Sequence, residues 1–466
     1  MQHSPDARSR TAFLGSGPIL PLLLKMGIPA ATGMLVNALY NIVDTIFVGQ
    51  GVGPLAIAAL TIAFPIQLTV SALAQGLGVG AASIVSRRLG EKREEDAARA
   101  IGTAYAAIAL VTAVLVALVM AYTDPVLRFF GAGSEVLPLA REYLRVVAPG
   151  FFFFASSMAA SSLVRAEGNA RASMTGMLIG ALLNVALDPI FIFGFGMGVR
   201  GAALATVLSQ AVSFAYLASL YLRRKTHVRL ELRHFAPHPA LLAEEAFLGV
   251  PAFVQSAGMS LLALLINTTL RARGGDLAIS TYGMAHRLIM LVIFPILGMA
   301  QGFQPIVGYN YGARSFDRVK RTIRVAVATV SCIAGAAWLA LMLFPATLVS
   351  MFTSDAALVA SSARVLRTMV LFIPLAAVQI LGSTYFQAVG KGKHALALGL
   401  SRQFLVLIPL ILVLPRFFGL DGVWYAYPAA DLIASAVTVT FLLRELSHLD
   451  TRHADEGAPA PGRTAE

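Results

Sequence analysis

Apolar stretches long enough to cross a bilayer follow one another from Pro18 to Leu443, with only short polar segments between them. A helical crossing takes about 20 such residues, and in lipid a helix satisfies all of its own backbone hydrogen bonds. Only 13% of the 466 residues are charged and 57% are hydrophobic, whereas soluble domains run at about 25% charged. The runs are continuous rather than alternating, which argues against a β-barrel. The expected fold class is therefore an all-α polytopic membrane protein with twelve transmembrane helices. Their approximate bounds are 18–48, 55–84, 97–121, 138–164, 172–195 and 199–222, then 244–270, 277–307, 322–344, 358–389, 395–414 and 422–443.

The net charge of +12 does not gather in one soluble block, so no nucleic-acid partner is expected. It sits in short loops, where it sets topology. Arg87, Arg88, Lys92 and Arg93, then Arg223, Arg224 and Lys225, then Arg314, Arg318, Lys320 and Arg321 all fall on one side. The other side holds only Arg128, Arg200, Arg271, Arg273 and Arg416. Both termini are expected on the basic, cytoplasmic side. The chain divides into an N-terminal tail (1–17), an N-lobe (18–222), a linker (223–243), a C-lobe (244–446) and a tail (447–466) expected to be disordered. The linker histidines His227, His234 and His238 fit no metal spacing and are read as solvated. The single cysteine, Cys332, permits no internal disulfide.

Within the first span, MLVNALYNIVDTIFVG, Asn37, Asn41 and Asp44 share one helical face with Tyr40 beside them. A carboxylate there costs about 2.5–3.5 kcal/mol on insertion scales, so such groups face a bundle interior or a wet cavity and mark function. A packing hydrogen bond is the plainer alternative. In the fifth span Asn184 and Asp188 also share a face, and Pro189 invites a kink that frees backbone carbonyls. If Asp44 and Asp188 meet, like charge and burial favour one proton between them, and the pair titrates as a unit. Gln67, Ser71 and Gln75 follow one face of the second span. Gln255, Gln301 and Gln379 lie in the second half. All are candidates for a substrate cavity or for interhelical hydrogen bonds. Arg287 is expected to pair with Asp431 or another acid, or to snorkel to an edge. There is no phosphate-binding loop, dinucleotide fingerprint or metal motif, so an enzyme is not expected. Uphill transport would draw on an ion gradient, worth about 2.3 kcal/mol per charge per 100 mV.

The halves form a weak repeat. Gln75 and Gln301 stand in matching Ala-Gln-Gly triplets, Arg165 matches Gln387, and Gly198-Val199-Arg200-Gly201 matches Gly419-Leu420-Asp421-Gly422. Six spans per half keep both in one orientation, so a pseudo-two-fold along the membrane normal is expected, with the site between the halves.

The segments NALYNIVDTIFVGQGVGPLAIAALTIAFPI, NVALDPIFIFGFGMGVRGAALATVLSQ and AQGFQPIVGYNYGAR resemble the multidrug and toxic compound extrusion (MATE) family, within it the DinF/MepA-like branch. The resemblance runs from about Pro18 to Leu443. It implies two six-helix lobes and antiport of cationic drugs against protons or sodium, with the family's coupling residues on Asp44, Asn184 and Asp188. Other branches carry acids in helices seven and ten. Here VPAFVQSAGMS and PLAAVQILGS hold none, and Ala376 occupies the tenth-helix position. That disfavours a second-lobe sodium site and places protons ahead of sodium. The expectation is a monomeric inner-membrane antiporter without cofactor, exporting drugs or organic cations by alternating access, with Asn37, Asn41 and Asn184 orienting the acids. The rivals are a lipid-linked oligosaccharide flippase of related architecture, a membrane enzyme and a non-transporting receptor.

Overall fold

The protein is described by a computed structural model over residues 5–236 and 238–457. A short helix α1 (Pro5–Ser16) leads into α2 (Ile19–Gly51), α3 (Pro54–Gly90) and α4 (Glu94–Ala121). The turn α5 (Thr123–Phe129) follows. Then α6 (Leu137–Val147) and α7 (Phe151–Ala166) together make one crossing. The crossings α8 (Ala170–Pro189) and α9 (Gly198–Leu222) close the first half. The second half is α10 (Pro239–Gly312), α11 (Phe316–Leu343), α12 (Pro345–Ser350), α13 (Ala356–Met369), α14 (Ile373–Ala388), α15 (Gly392–Leu400), α16 (Ile408–Phe418) and α17 (Asp421–Gly457).

Among the described residues, ten helices are long and apolar enough to cross a membrane, and α13 with α14, bent by 52°, makes an eleventh. Gly275 breaks α10 with φ 62° and ψ −157°, dividing it into two crossings. That gives the twelve expected, and a non-glycine residue would be strained at this turn. The symmetry of the halves extends to their irregularities. The non-crossing helices α5 and α12 begin 222 residues apart, as do α7 and α14. The fifth crossing of each half also contains a π-turn, at Ile190–Gly194 and at Ser401–Leu407, but these lie at different positions along the two crossings. Pro189 lies at the first of these, where its missing N–H leaves a carbonyl unpaired in a regular α-helix.

The two halves touch chiefly at the end that carries the termini and the basic loops. Ser256 donates to Gln75 at 2.9 Å, Ser83 to the Gln387 carbonyl at 2.6 Å, and Arg87 to Glu244 at 3.0 Å. Leu22, Leu23 and Met26 of α2 are buried within the core of the second half. This seal runs below Gln75. Above it, Asn37, Asn41, Thr45 and Gln255 are exposed, and the halves diverge into a cleft.

The segments outside the crossings bring one addition and two corrections. The N-terminal tail holds α1, which docks through the Thr11 hydroxyl on the Glu167 carbonyl (2.9 Å) and the Asn310 amide on the Leu14 carbonyl (2.9 Å). The C-terminal tail, expected to be disordered from 447, continues α17 as helix to Gly457, because extending an existing helix needs no new nucleus. The rest of that tail lies outside the described residues. The linker histidines are not all solvated. His234 is 3% exposed, its Nε2 lies 3.1 Å from Glu95 and its Nδ1 accepts from the Glu231 backbone. His227 lies 3.1 Å from Glu94. Together they fasten the linker to the start of α4, and only His238 is exposed.

Candidate functional site

Helices α2 and α8 pack along each other, which brings the two intramembrane acids within hydrogen-bonding reach. Asp188 is fully buried and Asp44 partly so. One turn before Asp188, the Asn184 amide donates to its carboxyl at 3.4 Å and to Thr206 of α9, also at 3.4 Å. Tyr40 of α2 and Tyr143 of α6 stand in the electrostatic field of both acids. The Tyr143 hydroxyl accepts from Gln67 of α3 at 3.0 Å. The site therefore gathers five elements of the first half around one carboxyl pair.

Its hydrogen-bond balance is lopsided. The Oδ1 of Asp44, the Oδ2 of Asp188 and the Oδ1 of Asn184 are buried with no donor from the protein. Two carboxylates side by side are acceptors only, so neither can satisfy the other while both are ionised. A single proton shared between them turns one into a donor and removes the repulsion between two charges. A small cation would find three oxygens here, fewer than the six to eight that hard divalent ions take.

The other predicted site residues divide. Asn37 and Asn41 are exposed on the cleft side of α2. The Asn41 amide donates to the Asn37 carbonyl at 2.8 Å, not to an acid. Of the three asparagines, Asn184 alone has an observed bond to the pair. Gln75 and Gln301 belong to the seal: Gln75 accepts from Ser256, and Gln301 contacts the Met34 sulfur at 3.6 Å. Gln255 faces outward beside them. Gln379 stands apart from any cavity. It is 3% exposed, and its amide donates to the Leu398 carbonyl at 2.9 Å within the second half. Asp431 pairs with Arg402 at 2.6 Å, while Arg287 is exposed.

Tyr143 and Thr206 were missed by the sequence reading. Tyr143 lies 99 positions from Asp44 in an unremarkable amphipathic segment. The signal that could have found it is a tyrosine on the buried face of a crossing, where its hydroxyl needs a partner.

The MatE family signature matches residues 29–190 and 251–413, one stretch in each half. The multidrug export protein MepA of Staphylococcus aureus (strain MRSA252) is 29% identical over 450 residues, covering 96% of this chain and 98% of that protein. Among solved structures, the outward-facing conformation of a multidrug resistance MATE family transporter of the MOP superfamily superimposes with a TM-score of 0.88 at 30% identity. The match covers 97% of this chain and 100% of that one. A MATE crystal structure in the bent conformation gives 0.89 at 29% identity, with the same coverage.

Proposed function

The chain belongs to the MatE family, and from that premise we propose that it is a proton-coupled efflux transporter exporting cationic amphipathic compounds from the cytoplasm. It is a multi-pass membrane protein whose long relatives are export proteins, and its fold is that of a transporter rather than an enzyme. The observation that carries the coupling proposal is the Asp44–Asp188 contact, with its buried oxygens that lack donors. Protonating the pair removes charge that α2 and α8 must otherwise hold apart, so the packing of these two helices changes with proton occupancy. The cleft side of α2 moves with that packing, and bound substrate is released outward.

With the termini and basic loops in the cytoplasm, the seal below Gln75 is the inner gate and the cleft opens outward. The fit to an outward-facing relative supports this assignment. The membrane is then the bacterial inner membrane, with both termini inside. A lipid-linked oligosaccharide flippase would be expected to carry a strongly cationic cavity. In the middle of this protein Arg402 is offset by Asp431, which favours drug export.

The test is efflux of a fluorescent organic cation from vesicles in sodium-free buffer, driven by an imposed pH gradient. The Asp44→Asn, Asp188→Asn double variant should bind the cation but lose gradient-driven efflux. Full coupled efflux by that variant, or efflux that requires sodium, defeats the proposal.

A further inference from the structure

A second polar cluster lies at mid-membrane in the other half, and the coupling mechanism makes no use of it. Arg402 sits in the π-turn Ser401–Leu407, and Asp431 on α17 is 1% exposed. Arg402 lies ten residues into its crossing and Asp431 ten residues into α17, roughly 15 Å from opposite faces at 1.5 Å per residue. The Nε of Arg402 donates to Asp431 at 2.6 Å. That uses one of five N–H groups. Among the described residues the terminal nitrogens have no hydrogen-bond acceptor, and the side chain is 32% exposed. Around the guanidinium stand Tyr282 and His286, stacked at 5.4 Å, and Tyr427, which donates to the Tyr282 hydroxyl at 2.9 Å. The Tyr282 hydrogen is thus left free to donate elsewhere.

The repeat sets this cluster apart from the acidic site. The Gly198/Gly419 offset of 221 residues places Tyr427 opposite Thr206, a residue of the acidic site. The same offset sets Arg402 opposite Ala181 and Asp188 opposite Pro409, so the two halves carry polar groups of opposite character at different positions of the repeat. The first presents carboxyl oxygens without donors, and the second presents guanidinium and hydroxyl donors without acceptors. A pair needed only for packing would spend its charge on the protein. Here Asp431 holds the Arg402 side chain by Nε and leaves its terminal nitrogens to another acceptor, and a planar fork matches a carboxylate in bidentate fashion.

We infer that Arg402, oriented by Asp431 and flanked by Tyr282, forms a subsite for the carboxylate of a zwitterionic amphipathic substrate. The inference rests on the export reading and widens it from simple cations to compounds that carry both charges. The probes are rhodamine B, a zwitterion with a free carboxylate, and its ethyl ester, a cation of the same shape. Binding of each to the purified full-length protein in detergent is followed by fluorescence polarisation at pH 7. Arg402→Gln alone strands a buried carboxylate, so the Arg402→Gln, Asp431→Asn double variant is compared with wild type.

Wild type should prefer the acid. The double variant should lose that preference by about tenfold, the scale of one charge-assisted hydrogen bond, with ester affinity kept within about twofold. Arg402→Lys, which keeps charge but not the fork, should fall between. Equal loss for both dyes, or a variant that keeps the preference, overturns the subsite in favour of a structural pair. A wild type that binds the ester but does not prefer the acid also overturns it, while the export reading stands. A wild type that binds neither dye sinks both.

Discussion

Glu167, between α7 and α8, is 3% exposed and accepts the His227 and Val228 backbone N–H groups at 2.7 and 3.1 Å. It is the point where the linker, α1 and the first half meet. Burial pushes its carboxyl from the ordinary 4.5 up to about 7, against the opposing pull of those hydrogen bonds. The folded chain therefore holds this proton more tightly than the unfolded chain. Its contribution to stability is complete below pH 4.5 and is lost as the pH rises to about 7. In Glu167→Gln that component disappears, so melting temperature in detergent should vary less between pH 4.5 and 7 than in wild type. Equal slopes for the two proteins reject the assignment. The acidic pair was legible at this scale because carboxyls in apolar spans are costly and stand out. Glu167 was not, because its burial comes from a linker and a terminal helix distant in sequence.

At the scale of elements, the tightest approach is between α3 and α10. A Cβ on Gly80 would lie 2.1 Å from the Glu245 carbonyl oxygen, and one on Gly249 would lie 2.1 Å from that of Gly76. Only glycine lets these backbones meet, as small residues do at membrane helix contacts. Gly249→Val must push α3 and α10 apart, at a cost of about 1–3 kcal/mol. That is enough to shift a gate equilibrium by about tenfold. A cysteine at Ser83, in a chain with Cys332→Ser, should be protected from an impermeant maleimide applied to the terminus-bearing side. Protection should disappear with Gly249→Val, and continued protection shows that the seal does not depend on this crossing. The crossings themselves were readable to within a few residues, since their length is dictated by the bilayer. The π-turn at Ser401–Leu407 was not: Pro409, two residues past it, signals a disturbed helix without specifying what form the disturbance takes.

For the whole molecule, the seal sets one ion pair beside one buried acid that has no partner. Arg87 joins Glu244 across the halves at 3.0 Å, while Glu245 is fully buried beside Gly80 with neither carboxyl oxygen partnered. An ion pair this exposed is worth about 0.2–1 kcal/mol, whereas a carboxyl buried without a partner is held as the neutral acid, because leaving it charged would cost several kcal/mol. Arg87→Ala should open the seal by about fivefold at most. Glu245→Gln replaces one neutral group by another of the same shape and should leave the seal within about twofold of wild type. The same Ser83 labelling rate reads both. A change in labelling larger than that in Glu245→Gln contradicts the reading.

The order of helices, the duplication and the presence of two acids in the first half follow from the sequence alone, because lipid leaves a chain one regular way to cross and makes each buried charge conspicuous. Proximity is a different matter. The contact of Asp44 with Asp188, the choice of Arg402 over Arg287 as the partner of Asp431, and the side on which the halves close depend on how helices distant in sequence rotate against each other. That rotation is set by packing many small surfaces at once, and no local pattern encodes it.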